Sequence, residues 1–172
     1  MPTRPAYAYR DKDRPAYTRK EYVTGIPGIR ISFFDRGNTK ADFPLKLSLV
    51  TKEGGQIRHN ALEAARVSAN RILEKEAGEG NYHLKLRVYP HQILRENPMA
   101  IGAGADRISD GMRKSFGRPI GMAARVSTGQ KIITISVPKE FYGVAKKAIK
   151  RARMKIPMPC KRSIDKGKEL LI

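Results

Sequence analysis

The segment NALEAARVSANRILEKEA at residues 60–77 decides the fold class, because it is the clearest amphipathic helix in the chain. Its apolar side chains recur at helical spacing along one stripe: Leu62, Ala65, Ala69, Ile72 and Leu73. Asn60 is a good N-cap, Glu63 completes a capping-box pattern, and Gly78 can take the left-handed position after the helix. Arg66 is expected on the polar, solvent-facing side.

Segments on both sides of this helix follow the two-residue period of β-strands. IRISFF at 29–34 and LKLSLV at 45–50 precede it, and YHLKLRVY at 82–89 follows it. In the last segment one set of side chains is predicted to face the core: Tyr82, Leu84, Leu86 and Val88. The alternate set is predicted to face outwards: His83, Lys85, Arg87 and Tyr89.

The second half of the chain predicts a hairpin followed by a second helix. MAARVS at 122–127 and IITISV at 132–137 flank the turn sequence TGQK, which is typical of two paired strands. Residues 139–153 then form an amphipathic helix pattern whose polar face is almost purely basic. The cations of that face are Lys146, Lys147, Lys150, Arg151 and Arg153.

These elements predict an α+β fold, with two helices packed on a mainly antiparallel sheet in a sandwich-like arrangement. An extended basic arm is expected at 1–28, a single domain at 29–156 and a C-terminal tail at 157–172. Inside the domain, GAGADRISDGMRKSFGRPIG at 102–121 has many glycines and no sustained periodicity. Such long connections are usually functional or disordered, so we expect a functional loop at 102–117.

The charge balance points to a polyanionic partner. The chain has 172 residues, with 35 Lys and Arg against 16 Asp and Glu, and a net charge of +19. So large an excess opposes compaction and favours nucleic acid, from which neutralised phosphates release counterions. A basic amphipathic helix can also lie on a membrane, but this one lacks the Trp- and Leu-rich apolar face that favours it.

The same composition argues against several other settings. No run of about 20 apolar residues predicts a membrane span, and the first residues lack the apolar region of a secretory signal. The single cysteine, Cys160, allows neither a disulfide framework nor a cysteine-based zinc site. We therefore expect a cytoplasmic protein that has no membrane partner and forms no homo-oligomer.

The first 28 residues predict an arm that is ordered only against a partner. Prolines interrupt any helix, and basic residues alternate with tyrosines that can stack on exposed bases. A merely disordered tail is the alternative. The predicted RNA contacts in the arm are Arg4, Tyr7, Tyr9, Arg10, Arg14, Arg19 and Lys20. Outward cations of the domain, Arg66, Lys85 and Arg87, are predicted to join the basic helix in binding RNA.

No catalytic, metal or cofactor site is predicted. The histidines His59, His83 and His91 fall in separate elements, and Cys160 has no histidine patterned near it. GAGAD at 102–106 resembles part of a glycine-rich nucleotide loop but lacks the full G-x-G-x-x-G spacing. A nucleotide-dependent enzyme and a non-ribosomal RNA chaperone or DNA-binding regulator stay open as alternatives at this point.

The long loop carries a more specific resemblance. AGADRISDGMRKSFGRPIGMAARV at 103–126 resembles the signature of a large-subunit ribosomal protein family, called protein sixteen in bacteria and protein ten-e in archaea and eukaryotes. NALEAARVSANRIL, HLKLRVYPHQILREN, RPAYAYR and GIPGIRISFFDRG resemble its other segments. The resemblance covers roughly residues 4–157 and is closest to the archaeal branch.

The resemblance implies a structural, non-enzymatic role in the large ribosomal subunit. It implies a domain that sits against large-subunit rRNA beside neighbouring ribosomal proteins, and a loop that points toward the peptidyl-transferase centre and bound tRNA. The implied loop residues are Gly102, Gly104, Asp106, Arg107, Gly111, Met112, Arg113, Lys114, Gly117 and Arg118. Four of these are implied as the RNA contacts of the loop: Arg107, Arg113, Lys114 and Arg118.

Overall fold

The structure is a computed structural model that describes residues 4–12, 15–97 and 111–171. Within these ranges, helices α1 (His59–Glu76) and α2 (Tyr142–Arg153) pack against antiparallel sheets. The predicted α+β class, with helices on a mainly antiparallel sheet, is therefore confirmed. Both helices occur where the periodicity of the sequence predicts them.

The strands form two sheets. The five-stranded sheet contains β1 (Asp35–Gly37), β2 (Leu45–Thr51), β4 (His83–Leu86), β7 (Lys131–Val137) and β8 (Cys160–Lys166), in the order β1-β4-β7-β2-β8. The three-stranded sheet contains β3 (Gly55–Arg58), β5 (Gln92–Glu96) and β6 (Arg118–Val126), in the order β3-β6-β5. Every pairing is antiparallel.

One continuous core joins the helices to the larger sheet. Leu47 on β2 is opposite Ile135 on β7, and Ile135 is also opposite Leu84 on β4. These three side chains are fully buried together with the inward residues of both helices. In α2 those residues are mostly alanines, Ala145, Ala148 and Ala152, whose small side chains let the helix backbone lie close to its neighbours.

The predicted hairpin between residues 122–127 and 132–137 is wrong, because β6 and β7 belong to different sheets. The turn between them is bonded to Thr51 at the end of β2. Thr51 donates from its Oγ1 to the carbonyl of Ser127 at 2.7 Å and from its amide to the carbonyl of Gln130 at 3.1 Å. The chain therefore changes sheets at this corner, and alternation along a strand does not specify which strand it pairs with.

Two further elements differ from prediction. Residues 29–34 lie outside both sheets, and the strand starts later, at Asp35, where the pairing with β4 begins. Residues 157–172 were expected to be a tail, yet Cys160–Lys166 pairs with β2 as the edge strand β8. The charged side chains of β8 hide its pattern, since an edge strand exposes much of its surface and commonly carries charge.

The arm also differs from prediction, because its described part is held by the domain itself. The carbonyl of Arg10 accepts from the amide of Gln56 at 2.7 Å, and the carbonyl of Tyr17 accepts from the amide of Ile93 at 2.9 Å. Gln56 lies in β3 and Ile93 in β5, which are the two edges of the smaller sheet. The arm thus accepts hydrogen bonds from backbone amides on both edges of the smaller sheet. Val23, later in the arm, is buried.

The start of α1 differs in detail. The helix begins at His59, and Asn60 accepts only a local bond from the amide of Ala61, at 3.0 Å, so the capping-box prediction is wrong. Glu63 instead bonds the guanidinium of Arg66. After the helix, Gly78 has a φ of +80°, as its predicted role requires, while the amides of residues 77 and 78 both donate to Leu73.

Candidate nucleic-acid interface

The outer face of α2 presents the strongest concentration of exposed positive charge on one described element. The inward alanines and Ile149 fix the rotation of the helix, so the remaining positions face solvent. All five predicted cations of this face are exposed: Lys146, Lys147, Lys150, Arg151 and Arg153. We call these five residues the α2 basic face.

Little of this charge is neutralised by the protein. Lys147 pairs with Glu76 at the end of α1, with Nζ and Oε2 3.0 Å apart, but both side chains are well exposed. Such surface pairs contribute little to stability and exchange readily with solvent or another anion. Among the described residues, no carboxylate lies within 4 Å of the other four cations of the α2 basic face.

Three cations that were not singled out as RNA contacts extend this face along the chain. Lys155 is exposed just after α2, and Lys161 and Arg162 are exposed on β8. The sequence held a signal for them, since no Asp or Glu occurs between residues 144 and 163.

The arm residues divide into two groups. Arg4 pairs with Glu96, Arg10 pairs with Glu53 at 2.8 Å, and the half-buried ring of Tyr9 lies 5.3 Å from the Arg58 guanidinium. These side chains are already engaged with the domain. The exposed residues that can reach a partner are Tyr7, Arg19 and Lys20. Arg14 lies outside the described residues.

The cations predicted on the domain surface are placed differently from one another. Arg66 is only 7% exposed and its Nη2 lies 2.6 Å from Glu63, so the expectation that it faces solvent is wrong. Lys85 is partly exposed and lies 3.4 Å from Asp35. Arg87 is exposed, and its Nε donates to the hydroxyl of Thr134 at 3.1 Å.

The described part of the predicted loop, residues 111–117, is mostly exposed, and its end is packed against the domain. It contains a 3₁₀ turn at Gly111–Lys114, in which Met112 is 86% exposed and Arg113 is exposed. Gly117 is buried, and Arg118 begins β6 with an exposed side chain. Gly102, Gly104, Asp106 and Arg107 lie outside the described residues.

The base of the loop is fixed by a close backbone approach. A Cβ on Gly117 would lie 2.7 Å from the carbonyl carbon of Glu96, which leaves no room for a side chain. Beside it, the guanidinium of Arg95 lies against the ring of Phe116. Neither contact was predicted, because nothing in local sequence shows that β5 and the end of the loop meet.

The described residues hold no constellation suited to catalysis. Burial raises the pKa of the Cys160 thiol to about 11, so this cysteine is protonated and a poor nucleophile at neutral pH. Burial, Arg30 and Arg58 lower the pKa of His59, whose Nδ1 accepts from the amide of Arg30 at 3.4 Å. In the same part of the chain no group of His, Cys, Asp and Glu could hold a metal ion, and no helix could span a membrane.

The α+β fold and the α2 basic face define a basic protein of the class that binds a polyanion through surface charge. The sequence profile described as "Ribosomal protein L16p/L10e" matches residues 12–163. The chain therefore belongs to the ribosomal protein L16p/L10e family. Members of a ribosomal protein family are structural components of their particle, so the prediction of a non-enzymatic role is confirmed by this membership.

Similar proteins span the whole chain. The large ribosomal subunit protein uL16 of Archaeoglobus fulgidus is 56% identical, with 99% of this chain and 98% of the relative covered. The proteins of the same name from Methanocella arvoryzae and Halobacterium salinarum are 50% and 51% identical over at least 99% of each chain. The predicted resemblance, including its archaeal character, is confirmed.

Proposed function

We propose that the protein is a structural constituent of the large ribosomal subunit in the cytoplasm and binds large-subunit rRNA through the α2 basic face. The observation that carries this proposal is the row of exposed cations on one helix, most of them without a carboxylate partner among the described residues. The family and the names of the relatives from three archaea support a place in the large ribosomal subunit. Neighbouring ribosomal proteins are the expected protein partners.

The chemistry of this binding is electrostatic. Phosphates that meet Lys146, Lys150 and Arg151 release condensed counterions, which makes the affinity strongly dependent on salt. Because α2 is packed through alanines onto the core, the backbone positions of its basic residues are fixed relative to one another. A fixed array loses less conformational entropy on binding than a flexible basic tail does.

We further propose that the loop at residues 102–117 helps to position tRNA near the peptidyl-transferase centre. The family resemblance of this segment supports the role, and the exposed side chains of Met112 and Arg113 are available for contact. The close approach of Gly117 to the backbone of Glu96 fixes the end of the loop to the domain.

Co-sedimentation tests the first proposal. The purified chain is mixed with large subunits that lack it and is run on gradients of rising salt concentration. It should remain with the subunit at salt concentrations that remove non-specifically bound basic proteins. Free nucleotide binding by the isolated chain without any subunit association would instead support an enzyme that uses the GAGAD segment.

Reconstituted subunits test the loop. Deleting residues 106–115 should leave incorporation into the subunit nearly unchanged but slow tRNA accommodation and peptide-bond formation. Arg113→Ala should give a milder defect, because it removes one charge-assisted contact. Normal translation rates with the deletion would contradict the tRNA-positioning role and would leave the rRNA-binding role standing.

A further inference from the structure

A row of aromatic rings lies where the connection between β4 and β5 meets the segment before β1, and it has no part in the function proposed above. The rings of Phe34 and Tyr89 are stacked, with centres 5.4 Å apart and planes 17° from parallel. The ring of His91 lies 4.6 Å from that of Tyr89 at an angle of 43°. We call Phe34, Tyr89 and His91 the aromatic ladder.

Tyr89 and His91 are open to solvent, whereas Phe34 is half-buried and packed against the core. Tyr89 is 45% exposed and His91 is exposed, whereas Val88 and Pro90 between and beside them are buried. Val88 and Pro90 therefore anchor this connection to the core, while the rings of Tyr89 and His91 lie on its outer side. Tyr82, by contrast, is buried and donates its hydroxyl to Asn70 at 2.7 Å, as a tyrosine that serves the core does.

The surroundings of the ladder are positively charged. Arg87 is exposed one residue before Val88, and the Arg36 guanidinium lies 5.2 Å from the ring of Phe33, which is 54% exposed. Residues 82–95 contain no Asp or Glu. The nearby carboxylates are already engaged: Asp35 is bonded to His83 at 2.9 Å and lies 3.4 Å from Lys85, and Asp165, which acts on Arg87, pairs with Lys131 at 2.6 Å.

We propose that the aromatic ladder binds an unpaired base of RNA, while Arg87 meets the phosphate beside that base. Aromatic rings next to a cation are the chemistry that recognises single-stranded RNA, since every base has a face that can stack and every nucleotide carries a phosphate. An apolar protein surface fits less well, because covering the ladder with it would remove Arg87 from water, and the carboxylate that acts on Arg87, Asp165, already pairs with Lys131 at 2.6 Å. The inference rests on the proposed function, which supplies rRNA as the source of the base.

The test compares two RNA probes bound to the purified full-length chain: a single-stranded oligoadenylate and a fully paired RNA duplex of the same length. Tyr89→Ala should weaken binding of the single strand by about 5- to 150-fold, the range that corresponds to loss of one stacked aromatic ring. Binding of the duplex, whose bases are not free to stack, should be unchanged. The salt dependence should also be unchanged, because no charge is removed.

Two matched variants separate stacking from simple apolar contact. Tyr89→Phe keeps the ring and should bind as the wild type does, whereas Tyr89→Leu keeps apolar area without the ring and should behave like Tyr89→Ala. Melting temperatures of all three variants close to that of the wild type establish that the fold is intact. Arg87→Gln should lower the salt dependence for the single strand, because it removes a phosphate contact.

Three outcomes would overturn the proposal. Tyr89→Ala could leave single-strand binding unchanged, could weaken both probes equally, or Tyr89→Leu could bind as well as Tyr89→Phe. The last result would indicate an apolar docking surface for a protein. If the wild-type chain bound neither probe, the rRNA-binding function itself would fail, which is distinct from a failure confined to Tyr89.

Discussion

The guanidinium carbon of Arg95 lies 3.9 Å from the ring centre of Phe116, which joins β5 to the end of the long loop. The same guanidinium lies 4.7 Å from the ring of Tyr17 in the arm, and the two rings meet edge to face at 6.4 Å. One cation therefore connects three separate parts of the chain: the arm, the smaller sheet and the loop.

This cluster predicts measurable coupling between the arm and the loop. Arg95→Ala should lower the free energy of unfolding by about 1–2 kcal/mol, since partly buried cation–π contacts are worth about that much. In a double-mutant cycle, Tyr17→Ala and Phe116→Ala should be strongly non-additive when Arg95 is present and less so when it is absent, because only the edge-to-face contact of the two rings then remains. Additive effects in both backgrounds, measured by denaturant unfolding, would show that the cluster does not connect the two segments.

Gly117 should tolerate no side chain. In Gly117→Ala the new Cβ would approach the backbone of Glu96 to within 2.7 Å, so the base of the loop must move. We expect a loss of about 1–3 kcal/mol in the free energy of unfolding, as for other overpacked sites. Gly143→Ala is the matched control, because a Cβ there meets nothing within 4 Å and Gly143 is helical. The control should be as stable as the wild type or slightly more stable. Equal changes in stability at both sites would contradict the close packing of Gly117 against Glu96.

The Glu63–Arg66 pair predicts a loss of stability in acid. The hydrogen bond from Arg66 lowers the pKa of Glu63 below its ordinary value of 4.5. Because the folded-state pKa is the lower one, the pair stabilises the fold above the ordinary pKa, and the contribution is lost as the pH falls through the folded-state pKa. Denaturant unfolding followed from neutral to acidic pH should show this decline.

Substitution of the carboxylate checks the same pair. Glu63→Gln should cost about 1–3 kcal/mol at neutral pH, since Arg66 would stay buried without its counterion. It should also reduce the decline in stability with acid. Asp42→Asn is the control, because Asp42 pairs with Lys46 and Lys166 at an exposed site and should matter little. A similar small effect for both variants would contradict the structural role of the buried pair.

Cys160 should be unreactive in the folded protein. Its side chain is 1% exposed, and burial raises the pKa of its thiol to about 11. Alkylation by iodoacetamide near neutral pH should therefore be slow in buffer and fast in denaturant, where the thiol is exposed and its pKa is ordinary. Equal rates in the two conditions, followed by mass spectrometry, would mean that the side chain of Cys160 is not buried at the start of β8.

Sequence periodicity predicted the elements that are amphipathic over several turns or residues. The helix at 60–77, the basic helix at 139–153 and the alternation at 82–89 are all found, because each has one face in the core and one in solvent. Periodicity specifies which face is buried, but it does not specify the partner. Strands β6 and β7 lie in different sheets, and the turn between them is bonded to a distant residue, Thr51. Local periodicity contains no sign of that contact.

The candidate interface shows the same division. The α2 basic face was predicted because its charge follows from helical spacing alone. The burial of Arg66 was missed, since a cation next to a carboxylate one turn away can be buried as a pair. The contacts of the arm were also missed, because they are backbone bonds to sheet edges and do not depend on side-chain pattern. Most contacts predicted for the loop and arm stay predictions.

Binding of large-subunit rRNA by the α2 basic face can be tested by measuring the slope of log Kd against log salt concentration. The test variant changes Lys146, Lys150 and Arg151 to Gln and leaves the Lys147–Glu76 pair intact. The control changes Lys40, Lys52 and Lys168 to Gln, which removes the same charge from exposed sites elsewhere. We predict that the slope falls by about 2–3 in the test variant, at about 0.7–0.9 per lost phosphate contact, and stays nearly unchanged in the control. Equal slopes for the two variants would contradict rRNA binding by the α2 basic face, because the RNA would then respond to net charge and not to this face.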